Sequence, residues 1–206
     1  MTKKILFATN NQGKVRELKK AFDKAGLDVE ILTNQDLDNP PHVVESGRTF
    51  EDNAKLKAHA LADFSNLPTI ADDSGLMVDK LNGQPGVRSA RFAGEAHNDQ
   101  HNNAKLLAEL GGVPEDERGA KFNTTIVASM PHQFEKDLVV TGECPGRILS
   151  SLRGKDGFGY DPLFYIPEKG KTFAQMTTDE KNQISHRGKA VKKLIAELPA
   201  WFAQFD

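Results

Sequence analysis

Three observations predict an α/β fold built around a mixed sheet. The chain opens on a short apolar run, a polar turn, a helix-period stretch and a second apolar run, the order that begins a parallel sheet. Its middle carries two strand-like runs, 121–130 and 138–144, spaced as an antiparallel pair or meander. No internal repeat, low-complexity tract or clean linker divides the 206 residues, so a single domain over 1–206 is expected.

Ile5-Leu6-Phe7-Ala8 reads as a buried first strand. Thr9-Asn10-Asn11-Gln12-Gly13 is the turn after it. Val15, Leu18, Phe22 and Leu27 then recur at helical spacing, and Gly26 supplies a stop. Val29 to Leu32 is the second strand. Residues 34–48 are polar, hold Pro40-Pro41 and read as loop. Thr49, with Asp52 three residues on, signals a helix start, and that helix runs to about Phe64. Thr69-Ile70-Ala71 is a short strand that ends at Asp72-Asp73-Ser74-Gly75. Residues 82–96 are a glycine-rich loop with one helical turn. Asn98 or Asp99 caps a helix that ends at Gly111-Gly112. Gly154 to Tyr160 is a second glycine-rich loop. Thr178 is a candidate cap for a helix near Glu180-Lys181. The last helix spans about Ser185 to Phe202, with Val191, Leu194, Ile195 and Leu198 inward.

Charge and cysteine content exclude several classes. The formal net charge is -2, from 29 acids against 27 bases, which argues against nucleic acid as the main partner. Apolar residues make up 38%, an ordinary globular share, and no run approaches the roughly 20 residues of a membrane helix. The apolar run at Ile5 is too short for a signal peptide, so a cytoplasmic protein is expected. Cys144 stands alone before Pro145-Gly146 with no nearby His and reads as a structural thiol. His97 and His101 have the i, i+4 spacing of a zinc helix, but no third ligand suggests itself.

Four segments carry candidate chemistry. Thr9-Asn10-Asn11-Gln12-Gly13-Lys14 joins strand to helix, where backbone N–H groups and the positive helix end meet an anion, and Lys14 adds a point charge suited to phosphate. The spacing is not that of a P-loop. The plain alternative is a helix-capping turn with a solvated lysine. Asp72-Asp73 offers carboxylate oxygens, the ligands a hard Mg²⁺ prefers, and Glu45 is a second source. Strand neighbours point to opposite faces, so one aspartate can face a site while the other anchors a turn. Asp-Asp-Ser-Gly is equally good turn chemistry. Gly157-Phe158-Gly159-Tyr160-Asp161-Pro162 sets two aromatics among glycines, either a base-stacking wall or a tight hairpin with two core rings. Lys181 and Ser185-His186-Arg187-Gly188 put cations at a helix start, where acids are the usual preference.

Together, and in this order, the segments resemble the inosine/xanthosine triphosphate pyrophosphatase family. The likeness rests on T-x-N-x-x-K, the Glu45 loop with T-F-x-x-N-A, A-D-D-S-G-L, P-G-x-x-S-A-R, F-G-Y-D-P and S-H-R-G, and covers essentially the whole chain. It implies a central twisted mixed sheet with flanking helices, two lobes around an active-site cleft, and a homodimer. It implies Mg²⁺ and hydrolysis of ITP, dITP and XTP to the monophosphate and pyrophosphate. On this resemblance Thr9, Asn11 and Lys14 look like triphosphate contacts. Glu45 and Asp73 look like metal ligands, with Asp73 also the proton acceptor. Ser74 looks like a substrate contact, and Phe158 like the residue that stacks on the base. Gly159, Tyr160 and Asp161 complete that wall. Lys181, His186 and Arg187 look like base and phosphate contacts. Asn10 stands where many members have glycine, which implies an altered turn. Two rivals remain: a phosphatase that releases orthophosphate, and a nucleotide sensor without turnover.

Overall fold

A computed structural model describes residues 3–94 and 97–206. The chain forms strand β1 (Lys3–Phe7), helix α1 (Gln12–Lys24), β2 (Val29–Thr33), α2 (Phe50–Ser65) and β3 (Thr69–Val78). Then follow α3 (Asp99–Glu109), β4 (Gly119–Ser129), β5 (Leu138–Ile148), β6 (Phe164–Ile166), β7 (Lys171–Thr172), α4 (Thr178–Ile184) and α5 (His186–Phe202). The seven strands make one sheet in the order β2-β1-β3-β4-β5-β6-β7. β1 pairs in parallel with β2 and β3, whereas β6 is antiparallel to β5 and β7. Asn123 reaches Glu143 and Thr125 reaches Thr141, the reversed register of an antiparallel β4–β5 pair. The expected mixed sheet is present.

Two compact units share these strands. The first comprises 1–73, 125–141 and 190–206; the second comprises 74–124 and 142–189. Each has its own apolar core. In the first unit Ile5, Phe7, Val15, Leu18 and Phe22 pack with Ile70, Ile126, Leu194, Leu198 and Trp201. This is the helical stripe read from α1 and the far half of α5. Ala54, Ala58 and Leu61 of α2 pack separately on Leu6, Ala71 and Val127. In the second unit Leu76, Leu106, Phe122, Tyr160, Phe164 and Phe173 form the core. Cys144 lies in it, and burial raises its thiol pKa to about 11, which fits a structural thiol.

Three expectations need correction. β3 does not stop at Asp72 but runs ten residues, through Asp72-Asp73-Ser74-Gly75, to Val78. The carboxylates find polar partners there, so turn-forming residues sit inside a strand. β5 continues to Ile148; β6 pairs with it only at Arg147 and Ile148, so Pro145, with no N–H to give, lies outside that ladder. The strands β6 and β7 are too short to show a period in the sequence. Finally, Thr177 rather than Thr178 caps α4, because its hydroxyl and Glu180 close a capping box three residues apart. The glycine-rich loop at 82–96 contains the anticipated turn, a 3₁₀ segment over Gly86–Arg91; residues 95 and 96 of it lie outside the described residues.

Candidate active site

In the first unit the β1–α1 turn is built by its own side chains. Asn11 is the N-cap of α1, and its Oδ1 accepts from the N–H groups of Gly13 at 2.9 Å and Lys14 at 3.2 Å. Thr9 Oγ1 accepts from Asn11 N–H at 3.1 Å. Lys14 follows in the first turn, and its Nζ sits 2.8 Å from Asp72 Oδ2. Asp72 therefore pairs with the lysine of the β1–α1 turn.

Glu45 and Asp73 are brought into the same cluster by α2. Lys57 Nζ lies 2.6 Å from Glu45 Oε1 and donates to the Asp72 carbonyl at 2.6 Å. Asn53, fully buried, accepts from Gly47 N–H at 2.8 Å and donates to Asp73 Oδ2 at 2.9 Å. One amide thus ties the Glu45 loop to the Asp73 carboxylate. Gly47 must be glycine for this: an added Cβ would come within 2.6 Å of Asn53 Oδ1. Asp73 is 9% exposed. Burial raises its pKa to about 6, the Lys57 charge and the Asn53 bond oppose the rise, and the charges of Glu45 and Asp72 add to it.

These residues fit a hard divalent cation. Glu45 and Asp73 are oxygen donors, and three clustered carboxylates outweigh two lysines. Among the described residues no group of three His, Cys, Asp or Glu side chains is arranged to hold a metal ion. A cation bound at Glu45 and Asp73 would complete its shell with water and substrate oxygens, the habit of Mg²⁺ rather than of zinc.

The second unit assembles the other candidates. The two aromatics of Gly157 to Asp161 divide: Tyr160 is buried, while Phe158 is 59% exposed. Tyr160 donates its hydroxyl to the Ser89 carbonyl at 2.7 Å, and burial pushes its phenol pKa up. Asp161 accepts from Phe158 N–H at 3.1 Å and from Lys181 Nζ at 2.6 Å. Burial raises the Asp161 pKa against the pull of Lys181. Lys181 Nζ also lies 4.7 Å from the Phe158 ring centre. Gly159 has a left-handed φ of 61° and is held by Asp99 and Asn103 of α3. His186 is stacked on Phe122 with ring centres 4.8 Å apart. Arg187 reaches Ser74 Oγ at 3.4 Å.

Thr9, Asn11, Lys14, Glu45 and Asp73 are thus gathered in one unit, and Ser74, Phe158, Gly159, Tyr160, Asp161, Lys181, His186 and Arg187 in the other. Sequence reasoning gave no place in the candidate site to Asn53, which it quoted only within T-F-x-x-N-A, to Asp99, read only as a helix cap, or to Lys57 and Asn103. Asn53 had a signal: it is a polar residue in register with Ala54, Ala58 and Leu61 on the buried side of α2. Lys57 had none, since a lysine on a helix is ordinarily solvated.

Residues 5–197 match the sequence model of the Ham1 family. The chain belongs to that family. A dITP/XTP pyrophosphatase of Lactobacillus acidophilus is 74% identical over 200 residues, 97% of this chain and 99% of that protein. One from Bacillus cereus is 48% identical, with 97% of each chain covered. Among solved structures, the Staphylococcus aureus Ham1 protein superposes with a TM-score of 0.87 at 43% identity, covering 96% of this chain and 99% of its own. A HAM1 protein from Coxiella burnetii gives 0.90 at 35% identity, with 96% and 99% covered. Family membership thus agrees with the resemblance carried by the sequence motifs.

Proposed function

We propose that this Ham1-family chain is a hydrolase that cleaves ITP, dITP and XTP to the nucleoside monophosphate and pyrophosphate, clearing non-standard purines from the nucleotide pool. The observation that carries the reading is Asp73: a buried carboxylate with a pKa of about 6, oriented by Asn53 beside Glu45 and Lys57. A base with its pKa near working pH suits proton abstraction from water.

Residues 1–206 act as one catalytic domain. The α1 turn, Lys14 and Lys57 meet the phosphates, with Thr9 and Asn11 holding the turn in shape. Glu45 and Asp73 would hold Mg²⁺, which when bound neutralises phosphate charge. Asp73 orients a water and accepts its proton. The water oxygen bonds to the α-phosphorus as the bond to the bridging oxygen breaks, and pyrophosphate departs. Positioning and charge supply the rate gain, as in other phosphoryl transfers.

Phe158 stacks on the base, with Tyr160 and Asp161 behind it and Lys181 at its edge. His186 and Arg187 supply donors for the 6-oxo group of hypoxanthine or xanthine, where adenine presents a donor of its own. A site built around that bond leaves adenine unpaired, which discriminates strongly. Ser74 orients Arg187. The enzyme works as a cytoplasmic homodimer without nucleic-acid or membrane partners.

The test is a panel of nucleoside triphosphates with Mg²⁺, scored for pyrophosphate and orthophosphate. Expected are IMP and pyrophosphate from ITP, little turnover of ATP, and none with chelator. IDP and orthophosphate would make it a phosphatase; tight binding without turnover would make it a sensor.

A further inference from the structure

We infer that Asp99 and Asn103 are specificity-positioning residues: the start of α3 grips Gly159 from both sides and fixes the angle of the Phe158 ring. The inference rests on the stacking role proposed above for Phe158. Asp99 and Asn103 are four residues apart and so share a face of α3. Asp99 Oδ2 accepts from Gly159 N–H at 2.7 Å, and Asn103 Nδ2 donates to Gly159 O at 2.9 Å. Asp161 takes the N–H of Phe158 at 3.1 Å. The backbone on each side of the Phe158 side chain is therefore fastened, while the ring itself stands in solvent.

The arrangement is a poor choice for stability alone. Asn103 is buried, and its Oδ1 meets no donor among the described residues. A buried acceptor without a partner costs free energy, and an apolar side chain of that size would avoid the cost. What Asn103 provides instead is direction to one peptide group. The Asp99 bond is charge-assisted and short, hence stronger and more directional than a neutral one.

Direction matters here because stacking does not select a base: every base has a π-face. Selection comes from hydrogen-bonding groups at fixed positions around the ring plane. A rocking ring would let a wrong base shift until its edge is no longer unpaired. A held ring forbids that shift. Loosening the grip should therefore damage discrimination more than chemistry.

The experiment compares Asp99→Ala, Asp99→Asn and Asn103→Ala with the parent for KM and kcat on ITP and ATP with Mg²⁺, alongside thermal melts. Asp99 is exposed, so its variants fold even if the Asn103 variant does not. For Asp99→Ala the ITP:ATP ratio of kcat/KM should fall about tenfold, the scale of one lost positioning hydrogen bond, chiefly through KM for ITP. Asp99→Asn, which keeps an acceptor, should restore most of the ratio. Ratios within twofold of the parent in both alanine variants, or equal losses on ITP and ATP, overturn the inference while the function stands. A parent that does not prefer ITP overturns the functional reading and this inference with it.

Discussion

The ionised form of Asp73 is held at a cost that its neighbours offset only in part. Its folded pKa of about 6 lies above the ordinary 3.8, so the folded state binds the proton more tightly than the unfolded chain. The resulting stabilisation is fully present below the unfolded pKa and is lost as pH rises through about 6. At pH 8 the shift of roughly two units corresponds to about 3 kcal/mol. Asp73→Asn removes the charge and keeps the shape. In chelator its melting temperature should exceed the parent's at pH 8, and the two should converge near pH 4. Turnover should meanwhile fall by about 10²–10⁴, the range for loss of a general base. With the intact enzyme and Mg²⁺, kcat/KM should decline on the acid side as Asp73 takes up a proton, at a lower pH than in the metal-free protein, because a bound cation favours the ionised carboxylate. A variant less stable than the parent at pH 8, or one that retains activity, contradicts the account of Asp73.

At the scale of elements, α2 does the most to assemble the first cluster. Its capped N-terminal turn carries Asn53, and Lys57 stands one turn later. Asn53→Ala strips the acceptor from Gly47 N–H and the donor from Asp73. A buried group left unmatched costs about 1–3 kcal/mol, so the variant should melt earlier by that amount. Asn53→Asp keeps the Gly47 bond but sets a second buried carboxylate against Asp73, so it should be less stable than the parent, with the deficit easing as pH falls, and should lose turnover. Chemical denaturation with parallel kinetics distinguishes the two effects. Full activity in both variants would remove Asn53 from the site. These elements also show where the sequence was readable. α1, α2 and α5 announce themselves by apolar period, and the Thr49-to-Asp52 box marks a start to the residue. β3 was misread because Asp72-Asp73-Ser74-Gly75 is favourable turn chemistry locally. Lys14, Lys57 and Asn53, supplied from distant positions, help make it tolerable inside a strand. The same logic hid Lys57, whose meaning depends on Glu45 twelve residues away across a loop. Phe158 and Tyr160 were legible as a pair but not in their division of labour, which depends on the Ser89 carbonyl that takes the Tyr160 hydroxyl.

At the scale of the whole molecule, the candidate residues fall into two sets with separate cores, and the sets differ in chemistry. The first holds Lys14, Lys57 and three carboxylates, the groups proposed above to meet phosphate and a cation. The second holds an exposed ring, an ion pair at its edge and Arg187, the groups proposed above to meet a base. On the proposed roles, a ligand that lacks the base should engage only the first set. Inorganic tripolyphosphate is such a ligand, and it can be measured as a competitive inhibitor of ITP cleavage with Mg²⁺ present. Phe158→Ala should raise KM for ITP about tenfold, within the 1–3 kcal/mol that a stacked ring contributes. It should leave the inhibition constant of tripolyphosphate within twofold, because Phe158 is exposed and is proposed to meet the base rather than phosphate. Lys14→Met should weaken both ligands, since the lost charge faces phosphate in each. An equal effect of Phe158→Ala on tripolyphosphate and ITP would mean that the ring acts on the phosphate end. The assignment of the base to the second unit would then fail, whatever the products of the reaction turn out to be.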